Sequence, residues 1–194
     1  MIKNPAAALS SGASAEASPE TLSNEATAQD FITLTKPGVL LLVVYTAAIG
    51  LFLAPHSLHP FISLVVIFAI AMGSAGAAAF NMWYDRDIDC IMKRTQNRPI
   101  PRGVISANDT LIFATLMSIT SVMVLYMAVG TLAAALLAFS IFFYAFVYTV
   151  ILKRHTAQNI VIGGIAGAFP PVIGWAAAMG DVNALEPWLL VAII

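Results

Sequence analysis

From Gly38 onward the chain alternates long apolar runs with short polar breaks. The runs Gly38 to Ala54, Pro60 to Phe80, Leu111 to Val129, Leu132 to Leu152 and Ile160 to Met179 each reach roughly 17 to 21 residues, about what an α-helix rising 1.5 Å per residue needs to cross ~30 Å of hydrocarbon. A sixth run begins at Pro187 and Trp188 and stops after "LLVAII", about 10 Å of helix and too short to span. The pattern predicts an all-α polytopic transmembrane helical bundle with five complete spans and the start of a sixth. Ahead of it, "AAALSSGASAEASPETLSNEATAQ" is small, polar and without an apolar core. Residues 1–30 are therefore expected to form a disordered tail and residues 31–194 a membrane domain. The tail has neither the apolar centre of a secretory signal nor the arginine richness of a mitochondrial transit segment, which favours a bacterial inner membrane.

Composition agrees with this reading. Of 194 residues, 60% are hydrophobic and 10% charged, with a mean hydropathy of +0.88, too apolar for one soluble core. The single cysteine, Cys90, excludes an internal disulfide. With only His56, His59 and His155 beside it, a Cys/His metal cluster is excluded too. The net charge of −1 says less than the placement of the charges. The basic residues lie at Lys3 and Lys36, at Arg86, Lys93, Arg94, Arg98 and Arg102, and at Lys153 and Arg154, whereas "PHSLH", "VGT" and "GDVNALE" carry none. Cationic loops stay inside, so the N-terminus, the loop after the second span and the "LKRHT" loop are all expected to be cytoplasmic. The expected surroundings are a lipid bilayer; nucleic acid is not an expected partner.

Charge is concentrated where an apolar run ends, in "NMWYDRDID". Asn81, Asp85 and Asp89 recur at i, i+4 and i+8, so each is rotated only ~40° from the last, and they line one face of a helix continuing out of the second span; Asp87 points the other way. Close carboxylates near hydrocarbon repel one another and require a compensating cation. One amide and two carboxylates offer hard oxygen ligands suited to Mg²⁺, a metal that bridges carboxylates to phosphate-bearing substrates. The alternative is a solvated helix end with i,i+4 pairs such as Asp89 and Lys93. Two features shift the balance toward a site: the guanidinium and ammonium groups of "KRTQNRPIPRG", stiffened by Pro99 and Pro101, and "KRHT" arriving on the same membrane face. Arginine forks beside metal-binding carboxylates make a diphosphate cradle.

Other positions keep two readings. Tyr144 and Tyr148, at i and i+4 near the cytoplasmic end of the fourth span, could offer their ring faces to a cation or sit there as interfacial aromatics. His155 could ligate or orient a bound cofactor or be a solvated loop residue. Gly163 and Gly167, ahead of Pro170 and Pro171, read as close helix packing with a kink, or else as a widened pocket. Asp109 in "SANDTL" reads as a helix start.

At these residues a resemblance emerges. "AAAFNMWYDRDIDCIMKRTQNRPIPRGVIS" resembles the first Asp-rich motif, N-x-x-x-D-x-x-x-D followed by R-T-x-x-R-P, of the intramembrane prenyltransferases. Together with "YTVILKRHTAQNIVIGGIAGAFPPVIGWAA" and "TLTKPGVLLLV", it is similar to the branch that farnesylates heme b, over about Phe31 to the last residue. The resemblance implies about nine helices around a central cavity capped by two Asp-rich motifs. It further implies an Mg²⁺-dependent enzyme that makes heme O from farnesyl diphosphate and heme b. Asn81, Asp85 and Asp89 would hold the metal, with Arg94, Arg98, Lys153, Arg154 and Tyr148 binding substrate. The nearest alternative within the family is prenyl transfer to a quinone precursor or other aromatic acceptor. A transporter would also explain the helices, but it should place its polar groups near the midplane. The second Asp-rich motif has no counterpart here: the other acids beyond the tail are Asp109, Asp181 and Glu186. The chain is accordingly expected to be a fragment, inactive alone.

Overall fold

A computed structural model describes residues 26–156 and 158–193; the side chains of residues 160 and 193 are outside this description. Most of the polar tail expected over residues 1–30 lies outside the described residues. No strand occurs among the described residues. The helices are α1 (Ala28–Leu34), α2 (Pro37–Leu53), α3 (Pro60–Tyr84), α4 (Arg86–Ile91), α5 (Ala107–Val129), α6 (Thr131–Phe142), α7 (Lys153–His155), α8 (Asn159–Met179) and α9 (Glu186–Ile193). A π-helical stretch, Phe143–Leu152, joins α6 to α7, so Thr131–His155 forms a single apolar helix long enough to cross a membrane. Pro60–Tyr84, Ala107–Val129 and Val161–Met179 also qualify, and α1 with α2, bent by 60° between them, makes a possible fifth span.

Local chemistry sets the helix ends. Pro60 starts α3 at a position where its missing N–H costs nothing. Ser106 caps α5 by accepting from the Asp109 N–H at 3.0 Å, and Asp109 is the helix-start residue its sequence context indicates. Gly130, at φ 92°, makes the one-residue joint between α5 and α6 in a conformation that L side chains rarely adopt. The short α1 was not anticipated by the apolar pattern. Thr27 and Asp30 form its capping box, with the Thr27 N–H donating to Asp30 Oδ2 at 3.1 Å.

The long helices close a ring in which α2 packs on α3, α3 on α5, α5 on α6, α6 on α8 and α8 back on α2. The α2–α8 approach depends on Gly50 and Gly174. A Cβ on Gly50 would stand 1.9 Å from the Pro171 carbonyl oxygen, and one on Gly174 2.2 Å from that of Ala47. These two glycines, rather than Gly163 and Gly167, provide the close backbone packing. Pro170 and Pro171 lie inside α8, which runs unbroken from Asn159 to Met179; a helix among other membrane helices tolerates such a pair. A second, smaller apolar cluster at one end of the bundle gathers Leu34, Ala79, Met82, Val104, Ile105 and Ala114. It fastens α1 and the loop after α4 to α3 and α5, and burying Leu34 alone contributes roughly 2 kcal/mol.

Candidate functional site

The chain leaves α3 at Tyr84 and enters α4 at Arg86 through the single joint residue Asp85. Asp85 donates its N–H to the Asn81 carbonyl at 3.0 Å, and Asp89 its own to the Asp85 carbonyl at 2.9 Å, so two i→i−4 bonds link these three residues across the joint. Asn81, Asp85 and Asp89 consequently share one buried face, at 1%, 2% and 4% exposure, whereas the Asp87 side chain is 60% exposed. The spacing inferred from sequence is realised in the geometry.

Cations from three distant segments meet this face. Lys36, in the left-handed conformation at φ 51° between α1 and α2, donates through Nζ to Asn81 Oδ1. Lys153, at the end of the π-helical stretch, donates to Asp85 Oδ2. Arg98, from the loop after α4, pairs with Asp89 Oδ2 at 2.6 Å. The Asp89–Lys93 pair of the solvated-helix-end alternative does not form among the described residues; Asp89 pairs with Arg98 instead. Asn81 Nδ2 donates to Asp85 Oδ2 at 2.9 Å and to Thr149 Oγ1 at 3.2 Å. Asp85 Oδ1 is buried without a hydrogen-bond partner.

Lys36, Asn81, Arg94, Arg98, Tyr144, Tyr148 and Lys153 line one pocket at this end of the bundle. Lys153 and Arg98 pair with Asp85 and Asp89, and Lys36 and Arg94 add two further cations, so the mouth carries an excess of positive charge and attracts an anion with several oxygens. Tyr144 and Tyr148 stack with ring centroids 5.2 Å apart. Below, and sharing Val39 and Tyr144 with the mouth, lies a cavity of about 160 Å³ lined by Ile70, Gly73, Ala77, Leu137, Gly163, Ala166, Gly167 and Ile173 among others. Its wall is mostly apolar and rich in small residues. A Cβ on Gly163 would come within 2.5 Å of the Tyr148 ring, whereas one on Gly167 would meet nothing within 4 Å. Gly163 thus admits the tyrosine, and Gly167 widens the cavity.

Arg154 lies elsewhere than the sequence suggested. Its guanidinium binds both oxygens of Asp87, at 2.7 and 3.0 Å, and stacks over the Tyr84 ring at 4.5 Å. The Arg154 hydrogen bonds hold the Asp87 carboxyl below the usual carboxylate range. Arg154 therefore clamps α7 to the outer face of α4, with only a longer 3.9 Å approach to Asp85 Oδ1. His155 turns its Nδ1 to the Ile151 carbonyl at 2.6 Å. Lys36 and Thr149 are the members that sequence reasoning did not place; both are remote from the Asp-rich run in sequence.

The hard oxygens suit a divalent metal. A buried Asp85 carboxylate oxygen with no hydrogen-bond partner, on the helix face that also carries Asn81 and Asp89, is the donor chemistry Mg²⁺ takes. Among the described residues no three acidic, histidine or cysteine side chains form a metal cluster by themselves. Phosphate oxygens and water would supply the remaining ligands, as Mg²⁺ normally requires.

A ring of membrane-length helices with a cationic mouth beside an apolar cavity defines an integral membrane protein. The UbiA prenyltransferase family matches residues 43–194, and the chain belongs to that family. It is 57% identical over 160 residues to the protoheme IX farnesyltransferase of Brucella ovis, covering 82% of this chain and 51% of that protein. It is 54% identical over 175 residues to the protoheme IX farnesyltransferase of Bartonella henselae, covering 90% and 56%. The chain spans about half the length of these relatives. A solved UbiA homolog from Archaeoglobus fulgidus, bound to DMAPP and Mg²⁺, superposes with a TM-score of 0.69 at 17% identity, over 84% of this chain and 59% of that one; this likeness bears on the fold.

Proposed function

We propose that the protein transfers the farnesyl group of farnesyl diphosphate to a vinyl group of heme b, giving heme O. The observation that carries this reading is a cationic mouth, lined by Asn81, Lys36, Arg94, Arg98 and Lys153, that shares Val39 and Tyr144 with a mostly apolar cavity. The names of the Brucella and Bartonella relatives supply the acceptor.

In this reading the diphosphate sits at the mouth against Lys36, Arg94, Arg98 and Lys153, and the prenyl chain enters the cavity past Tyr144 and Tyr148. Asn81, Asp85 and Asp89 would hold Mg²⁺, which when bound supplies charge neutralisation on the diphosphate. The allylic C–O bond breaks with its electron pair leaving on the diphosphate, where the Lys and Arg side chains stabilise it. The π electrons of the vinyl group form the new C–C bond to the allylic carbon. Water then adds to the resulting cation and loses a proton, leaving the hydroxyethylfarnesyl group. The Tyr148 ring, packed into the space left by Gly163, offers its face to the allylic cation and shields it from bulk water. In this reading the mouth opens on the cytoplasmic face of a bacterial inner membrane, which the positive-inside distribution of Lys and Arg supports.

The test is incubation of membranes containing the complete gene product with heme b, farnesyl diphosphate and Mg²⁺, followed by analysis of extracted hemes. Heme O formation is expected. Prenyl transfer to an aromatic quinone precursor, with heme b left unchanged, would replace this reading.

A further inference from the structure

Thr149 is fully buried, at 0% exposure, in the middle of the π-helical stretch. Its hydroxyl donates to the Tyr144 carbonyl, five residues back, at 2.8 Å. That donation uses the only proton the hydroxyl has, so toward Asn81 Nδ2, 3.2 Å away, Thr149 can only accept. Asp85 Oδ2, 2.9 Å from the same nitrogen, is an acceptor as well. Two acceptors therefore face one end of the Asn81 amide, and a donor, the Lys36 ammonium, faces the other. Only one orientation satisfies all three contacts. Rotating the amide by 180° would set its oxygen against two acceptors and its NH₂ group against an ammonium.

From this arrangement we infer that Thr149 is a positioning residue, which keeps the amide hydrogens of Asn81 turned to Asp85 and its carbonyl oxygen turned to the side where the Lys36 ammonium sits, so that oxygen and not nitrogen meets a cation arriving there. The inference rests on the reading of Asn81 as a ligand of the divalent cation. The π-helical register is part of the device. In a regular α-helix a threonine hydroxyl reaches back to the i−3 or i−4 carbonyl; here it engages the i−5 carbonyl and meets the amide of α3 from that position. An asparagine free to turn would present oxygen and nitrogen alike, and nitrogen carrying two hydrogens repels a metal. By removing that ambiguity, Thr149 sets the affinity of a site it does not itself touch.

The complete gene product, purified in detergent, allows a direct test. Thr149→Val keeps the side-chain shape and removes the acceptor, whereas Thr149→Ser keeps the hydroxyl. Mn²⁺ titrated in the presence of inorganic pyrophosphate, followed by loss of the free-ion paramagnetic resonance signal, should bind wild type and Thr149→Ser within about twofold of each other. Thr149→Val should bind on the order of tenfold more weakly, the effect of one lost hydrogen bond to a buried group. In an Asn81→Asp background, where residue 81 has no NH₂ group to orient, Thr149→Val should change affinity by less than about twofold. A Thr149→Val protein with wild-type affinity, a Thr149→Ser protein as weak as Thr149→Val, or an undiminished effect in the Asn81→Asp background would overturn the inference while leaving the cation site standing. Wild type that binds no Mn²⁺ under these conditions would overturn the cation site and, with it, the role of Thr149.

Discussion

Lys153 donates to one carboxylate oxygen of Asp85, and the other oxygen of that carboxylate is buried without a hydrogen-bond partner. The pair is thus half complete: compensated in charge, but with coordination capacity left over at a residue only 2% exposed. Such a group is costly in a purely structural role, because a buried lone pair without a partner gains nothing from the fold. The unused oxygen is what a ligand from outside the chain would engage.

Under the proposed function, removing that capacity should abolish farnesyl transfer. Asp85→Asn or Asp89→Asn is expected to lower heme O formation by roughly 100-fold or more, as measured in membranes carrying the complete gene product. Asp87→Asn, on the exposed face and paired with Arg154, should have a much smaller effect. Equal losses in all three would refute the one-face arrangement.

Removing the cation should instead destabilise the fold. Lys153→Met leaves the Asp85 carboxylate buried with its charge uncompensated, a cost of about 2 kcal/mol, below the ~3–5 kcal/mol of fully buried pairs because Lys153 keeps 34% exposure. Thermal unfolding in detergent should show a lowered midpoint, with much of the loss recovered in Lys153→Met combined with Asp85→Asn. No recovery in the double variant would mean that the loss comes from something other than the stranded charge.

The glycines separate packing from substrate accommodation. Gly50→Ala, whose new Cβ would collide with the Pro171 carbonyl, should lower stability by about 1–3 kcal/mol. Gly167→Leu meets open space on the cavity wall, so it should keep the melting midpoint and lose farnesyl transfer. Melting and activity measured side by side decide this; if both variants lose stability together, Gly167 is a packing residue.

Orientation has its own test. In a background lacking Cys90, which is exposed, cysteines introduced at Asn97 and Thr156 should react with an impermeant thiol reagent from the cytoplasmic side, and one at Asn183 from the opposite side. Labelling of the Thr156 and Asn183 positions from one side would overturn the five-span reading.

The long helices were legible because length and uninterrupted apolarity are properties of a local run, and α3, α5 and α8 fall close to the runs that the sequence marks. The shared face of Asn81, Asp85 and Asp89 was legible for a similar reason, since helical periodicity operates within nine residues. What escaped depends on remote partners. Arg154 and Lys153 are neighbours with the same charge, yet one clamps Asp87 and the other Asp85, a division set by how the end of the π-helical stretch meets α4. The stretch itself has no composition that distinguishes it from an α-helix. Lys36 resembled an isolated junction cation until α1 proved to be anchored through Leu34. The α1 helix did leave a signal, in Thr27 and Asp30 at capping-box spacing, and a short helix with one buried apolar anchor is easily overlooked beside spans of twenty residues.

The ion pair between Asp85 and Lys153 closes a separation of 68 residues, and this has a temporal consequence for a chain made from its N-terminus. At about 5–20 residues per second of synthesis, Asp85 leaves the ribosome roughly 3–14 s before the lysine that neutralises it. Lys36 emerges before the acids and Arg98 soon after them, so they can hold Asn81 and Asp89 in the interval, but Asp85 has neither of them as a partner. Until the π-helical stretch has entered the bilayer, the end of α3 carries an unmatched acid at the membrane boundary. Nascent chains halted before residue 153 should therefore expose the Asp85 region to protease, and those halted well beyond it should protect it. The binding mouth is in this sense a late product of insertion, completed only when the fourth long helix arrives.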